Sequence, residues 1–382
     1  MMTEIILVLF YLLSPFLILH LCHKFPFVNK LGAVFVAYLL GLIVGNIGIL
    51  PESASKIQEL LTTLTIPLAL PLLLFSANIK QWKSIAGKAL LSLIIGISSV
   101  IVLIVIGFFA FKGKGMGELW KVSGLLVGVY TGGTPNLASL KMMLNVDSDV
   151  YILTHTYDML ISTVYLAFLM TIGKKFFSFF LPKFNDDTSE EVEYTNGKDP
   201  YWGIFKREIF KPLLKAYGLT VLIFAIAGGL SLLVPRNSQV VVVILTITTL
   251  SIIASTFKQI NQIEKTFESG MYLILIFSVV VASMADISRF AGLTPGLFGY
   301  ITFAVFGSLF LQVVLGKLFK IDADTTIITS TALICSPPFV PVVAAAIGNR
   351  KIILTGISVG IIGYAVGNYL GFILAEILKN YC

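Results

Sequence analysis

Twelve long apolar runs separated by short polar loops make up nearly the whole chain: near 5–22, 31–50, 60–79, 86–111, 119–144, 150–180, 212–234, 238–256, 267–285, 293–319, 325–347 and 351–378. A helix that crosses a bilayer core of about 30 Å needs runs of this length and character. Two of the runs are cut in the middle, at corresponding places in the two halves. The run 119–144 is interrupted by Thr131-Gly132-Gly133-Thr134-Pro135-Asn136, and the run 325–347 by Ser336-Pro337-Pro338 and Pro341. Proline removes a backbone donor and glycine opens the backbone, so each cut leaves bare carbonyl and N–H groups at mid-depth. Lipid tolerates such backbone only where it is buried in protein or lines a watery cavity. Paired interruptions of this kind point to the binding site of a secondary transporter.

Composition turns these runs into membrane spans. With 57% hydrophobic and 12% charged residues and a mean hydropathy of +0.94, the chain cannot clothe a soluble fold of its size. It predicts an all-α polytopic protein, multi-pass in the cell's inner (plasma) membrane. The first run carries Glu4 and has no basic leader or small-residue cleavage pattern before His23-Lys24, so it is expected to be a retained span. Cys22, Cys335 and Cys382 are too few and scattered for a disulfide framework or a metal cluster. The net charge of +7 sits on basic residues placed singly or in pairs in short loops, a pattern of membrane topology and not of nucleic-acid binding. The expected partners are the bilayer, a small solute and a second copy of the chain in a homodimer, with no nucleic acid.

The two halves resemble each other. Segment 75–90 can be laid on 283–298 with Ala77 on Ala285, Asn78 on Asp286, Ile79 on Ile287 and Trp82 on Phe290, and the same offset sets Lys112 on Lys320. This predicts a first repeat over 1–180, a polar linker over 181–211 with the acidic patch Asp186 to Glu191, and a second repeat over 212–382. Asn78 and Asp286 are expected to cap matching helix ends. Six full crossings per repeat would make the repeats parallel. If each broken run instead dips in and returns, every repeat has five spans plus one broken element, and the repeats are inverted. With an external N-terminus, that arrangement puts 19 of the 27 Lys and Arg residues inside, which satisfies the positive-inside rule better than twelve straight crossings do.

Several residues could carry chemistry. Gly132 and Gly133 allow close backbone approach, while Thr131, Thr134 and Asn136 offer neutral oxygens, and the helical half after Pro135 would aim its positive end at an anion. The alternative is a packing kink. The second break supplies Ser336, Pro337 and Pro338, with Thr329, Ser330 and Thr331 before it and small alanines after it. Asp158, eight residues into an apolar helix, is costly as a charge unless it meets a cation, a partner or water. Its candidate roles are sodium ligand, together with Thr134 and Asn136, or proton carrier; the alternative is an acid at the membrane surface. His155 lies one turn earlier and could pair with it. Asn368 in the last run is either a site residue or an interhelical hydrogen-bonding group. The glycines at 356, 360, 363, 367 and 371 form a close-packing stripe. No zinc-protease motif, paired cysteines or serine nucleophile motif appears, so an enzyme is not expected.

At these residues the chain resembles the membrane proteins grouped as domain of unknown function 819, through GLIVGNIGILP, IPLALPLLLFSANI, GVYTGGTPNLASL, SPPFVPVVAAA and GYAVGNYLG. That family in turn resembles the cation/proton antiporter and anion transporter superfamily: VGVYTGGTPNLASL is similar to the Gly-Gly-Thr break of the bile acid:sodium symporters, and FSANIKQW to the third helix of the glutamate:sodium symporters. The resemblance implies a scaffold domain, a mobile core domain bearing both breaks, an elevator-like motion, and a site at Gly132, Gly133, Thr134 and Asn136. The second break departs from both symporter signatures, with Pro337-Pro338 where further ligand groups would be expected. The expectation is a secondary active transporter of a small anionic organic solute, coupled to sodium or protons and needing no cofactor beyond a sodium ion. An uncoupled exporter or exchanger, an intramembrane enzyme and a scaffold protein are the alternatives.

Overall fold

In the computed structural model, the described residues are 2–25, 28, 33–51, 53–76, 87–113, 118–184, 206–285 and 295–382. The proposed caps Asn78 and Asp286, residues 77–86 and 286–294 of the aligned segments and most of the linker lie outside these. The described residues are helical, with no strand among them. In chain order the helices are α1 Met2–Lys24, α2 Ala33–Asn46, α3 Ala54–Phe75, α4 Gly87–Phe111, α5 Leu119–Met143, α6 Ser148–Phe168, α7 Arg207–Ser231, α8 Gln239–Ser255, α9 Thr266–Ser283, α10 Pro295–Leu318, α11 Ala323–Ser330, α12 Val340–Ala346 and α13 Ile353–Lys379. Each apolar run of the sequence becomes one element, with α11 and α12 the two pieces of the second broken run. Among the described residues eight helices are long and apolar enough to span a membrane, and α2 and α8 are shorter apolar helices.

The helices group into two compact units, each drawn from both halves of the sequence: 1–77, 141–156 and 197–292 in one, 78–140, 157–196 and 293–382 in the other. In the first unit α9 is the central element, packed against α2 and α3. Gly41 and Gly45 of α2 lie so close to the Val279 and Ser283 carbonyls of α9 that any side chain there would collide, the small-residue contact by which helices pack in lipid. A buried polar knot pins the same region: Tyr11 Oη is 2.8 Å from Ser283 Oγ, and Gln58 Nε2 donates to both, at 3.1 and 2.9 Å. Buried polar groups joined in this way specify one packing.

The second unit holds α4, α10, α13 and both broken elements. Each broken element folds back on itself. In a straight helix Gly128 and Leu140 would stand about 18 Å apart, yet the Leu140 side chain fills the space beside Gly128. The break is at Gly133, whose φ of 64° and ψ of −161° interrupt α5 in a region that glycine alone enters readily. In the second element, Ile328 of α11 and Val340 of α12 both press on Gly356, and Asn349 Nδ2 donates to Asp324 Oδ2 at 2.9 Å across its open end. Both are helical hairpins.

The glycine stripe of α13 is where they seat. Gly371 meets Leu140 and the Gly124 carbonyl, Gly367 meets Asn136 and Thr131, and Gly363 meets the Thr131 carbonyl, whereas Gly360 meets Pro337 and Gly356 meets Ile328 and Val340. The first hairpin therefore runs from its open end at Gly371 to its tip at Gly363, and the second from Gly356 to Gly360. They approach the Gly360–Gly363 stretch of α13 from opposite ends.

Candidate functional site at the hairpin tips

The two tips meet. A Cβ on Gly133 would strike Ser336 Oγ, and one on Gly132 would strike the side chain of Asn136 and the Tyr364 backbone. The space that the sequence assigns to a ligand beside these glycines is thus filled by Asn136 and Ser336, and the diglycine brings the tips together. Ser336 stands at φ 86° and ψ 156°, a conformation that costs a non-glycine residue free energy and persists only where the surroundings enforce it. Pro337 and Pro338 follow in a short 3₁₀ turn, with Pro337 packed on Gly360.

Asn136, 1% exposed, reaches from the first tip to α13. Its Nδ2 donates to the Tyr364 carbonyl at 3.2 Å and to the Gly363 carbonyl at 3.4 Å, while its Oδ1 has no hydrogen-bond partner among the described residues. A buried amide oxygen in that state is available as an acceptor to a ligand or ion. Thr131 spends its hydroxyl on the Val127 carbonyl at 2.7 Å, leaving its own carbonyl against Gly363. Thr134 is half-buried at the tip and Pro135 is buried behind it. Asn368 is fully buried one turn beyond Tyr364.

Asp158 is 5% exposed. Ser162 Oγ donates to its Oδ1 at 3.1 Å. Tyr130 stands just ahead of the first tip and Cys335 just ahead of the second, and both are buried. The Tyr130 hydroxyl falls outside strict hydrogen-bond geometry. His155 is placed differently, its ring centroid 4.9 Å from that of Tyr38 and 6.3 Å from that of Tyr151 in the first unit. The helical spacing of Asp158 and Ser162 could have revealed that contact in the sequence; Tyr130, Cys335 and Tyr364 carried no such signal. Among the described residues no group of three or more His, Cys, Asp or Glu could hold a metal ion. The acceptors offered here are carbonyl, amide and carboxylate oxygens, which suit a hard monovalent cation or a proton.

Comparison with known proteins adds the family. Residues 8–381 match the model of a family described as protein of unknown function (DUF819). The chain is also similar to the uncharacterized membrane protein YjcL of Bacillus subtilis (strain 168), with 21% identity over 371 residues that cover 94% of this chain and 92% of the relative.

Proposed function

Because the chain belongs to the DUF819 family, which carries no assigned activity, we propose its function from the site: secondary active transport of a small anionic organic solute across the plasma membrane, coupled to sodium or protons through Asp158. The observation that carries this reading is the meeting of two hairpin tips on α13 near Gly360 and Gly363, with a buried acid, Asp158, on the helix whose Tyr165 hydrogen-bonds Ser330 of the second hairpin. Broken helices that meet from opposite ends and bury polar backbone are how membrane transporters build a midplane site. A buried acid in a membrane helix marks an ion or proton pathway. The helical arm after Pro135 turns its positive end to the tip, favouring an anion.

In this reading the unit carrying both hairpins is the mobile core, the other unit is the scaffold, and the solute is carried in an elevator-like motion. The coupling ion uses Asp158 with oxygens of the first tip, Asn136 and Thr134 among them. A melting-temperature screen of purified protein against small organic anions, with and without sodium and at two pH values, tests it by mass action. At least one anion should raise the melting temperature in an ion-dependent way, and Asn136→Ala should remove that rise. Anions that stabilise both proteins equally would move the binding site away from the tips.

A further inference from the structure

Two stretches of the second unit that lie far apart in sequence come together at the open end of the second hairpin. After α6 the chain makes a π-helical turn, Leu169–Gly173, then a last helical turn, Lys174–Phe177, and runs on to Lys183. This stretch lies along the end of α10 and the start of α11. Leu181 packs beside Gly316, the Ala323 N–H donates to the Pro182 carbonyl at 3.1 Å, and Lys174 Nζ donates to Asp324 Oδ2 at 3.1 Å and to the Ile347 carbonyl at 2.8 Å. Around these contacts Lys175, Lys183, Lys317 and Lys320 are exposed. So are the apolar side chains set among them, with Phe179 85% and Leu318 72% exposed.

The acids at this end are already engaged. Asp322 is buried and accepts from the N–H and the hydroxyl of Thr325, and the buried Asp324 carboxylate is held by Lys174 and Asn349. Among the described residues, therefore, no carboxylate at this end balances the four exposed lysines. Lys320 adds a second sign. It stands at φ 57°, where the Ile321 N–H closes the end of α10 on the Gly316 carbonyl at 2.8 Å. Helices commonly place glycine at this position, because a β-carbon costs free energy there. The chain carries a charge where the backbone alone favours glycine.

We propose that this patch binds the phosphodiester headgroups of anionic membrane lipids and that a bound headgroup braces the open end of the second hairpin. Lysines set among exposed phenyl and leucyl side chains match a lipid, whose phosphate meets the ammonium groups while its acyl chains cover the apolar ones; a free phosphate would match the charges alone. Ala323 opens the first arm of the hairpin and is bonded to this stretch, so a headgroup joining Lys175 to Lys317 restrains the hairpin whatever the tips carry.

Phosphatidylglycerol titrated into the purified protein in dodecyl maltoside micelles should raise the melting temperature at a lower mole fraction than phosphatidylcholine does. Glycerol 3-phosphate at the same concentration should not raise it. Lys175→Gln combined with Lys317→Gln should move the phosphatidylglycerol midpoint upward about tenfold or more, on the scale of two lysines at an anionic surface. Lys211→Gln combined with Lys215→Gln removes the same charge from exposed positions of α7 in the other unit and should leave the midpoint unchanged. Lys320→Gly separates binding from folding: it should raise the melting temperature in neutral micelles and weaken the response to phosphatidylglycerol, whereas a lysine with no headgroup to hold predicts a higher melting temperature and an unchanged response.

Equal responses to the two lipids, or equal losses in the two double variants, overturn the site. A response to glycerol 3-phosphate as large as that to phosphatidylglycerol overturns the lipid assignment.

Discussion

Ser336 and Gly133 are the two residues on which the tip geometry turns, because each holds a positive φ and they touch. For serine that conformation costs about 1 kcal/mol or more. Ser336→Gly should therefore raise the melting temperature while weakening solute-dependent stabilisation, since it relieves strain and deletes a tip hydroxyl. Gly133→Ala adds both a clash and backbone strain and should destabilise by about 1–3 kcal/mol. Combined with Ser336→Gly it should recover the part owed to the clash, and thermal unfolding of the four proteins measures the coupling. Strictly additive effects would show that the tips do not touch. Asp158→Asn keeps the shape and removes the charge; it should fold normally and lose any sodium- or pH-dependent shift in melting temperature. An unchanged shift would place the coupling ion elsewhere.

At the scale of elements, the ends and breaks of helices were legible in the sequence, because apolar run length marks the spans and Gly or Pro marks the cuts. Parity and the distribution of lysines favoured a fold-back of both broken runs but left a discontinuous crossing open, whereas the glycine stripe of α13 was legible from its spacing. The hydrogen bonds that tie the second hairpin to α4 and α10 were not legible. Thr329 could be read only as a neutral ligand near a break, and its partners Ser92 and Gln312 stand on other helices at separations that no periodicity links.

The clamp at the open end of the second hairpin was invisible for the same reason, since Lys174 reads as one more basic residue inside the membrane rim. Its energetics are asymmetric. Lys174→Met leaves the buried Asp324 carboxylate with Asn349 alone and should cost about 2–3 kcal/mol, whereas Asp324→Asn frees a half-exposed ammonium to reach water and should cost about 1 kcal/mol. Chemical or thermal unfolding in detergent checks the order; the reverse order would mean that Lys174 does not clamp the hairpin.

Across the whole molecule, the sequence suggests two consecutive halves, whereas the compact units each take segments from both. Helices in contact there are far apart along the chain: α3 packs on α9 and α4 on α10, pairings that local pattern cannot reveal. The charge distribution predicts external N- and C-termini and an internal 181–211 linker. Cysteine labelling from outside intact cells should reach a cysteine placed at Asn237 and miss one placed at Thr195; labelling at Thr195 reverses the topology. The central claim, that the chain moves a solute at the expense of an ion gradient, is tested most directly by uptake from a complex mixture. Proteoliposomes are given a metabolite extract with a sodium or proton gradient imposed or absent, and their contents are identified by mass spectrometry. At least one organic anion should accumulate above its external concentration only with a gradient, and not in Asp158→Asn vesicles. Contents indistinguishable from those of protein-free vesicles under every gradient would contradict the claim.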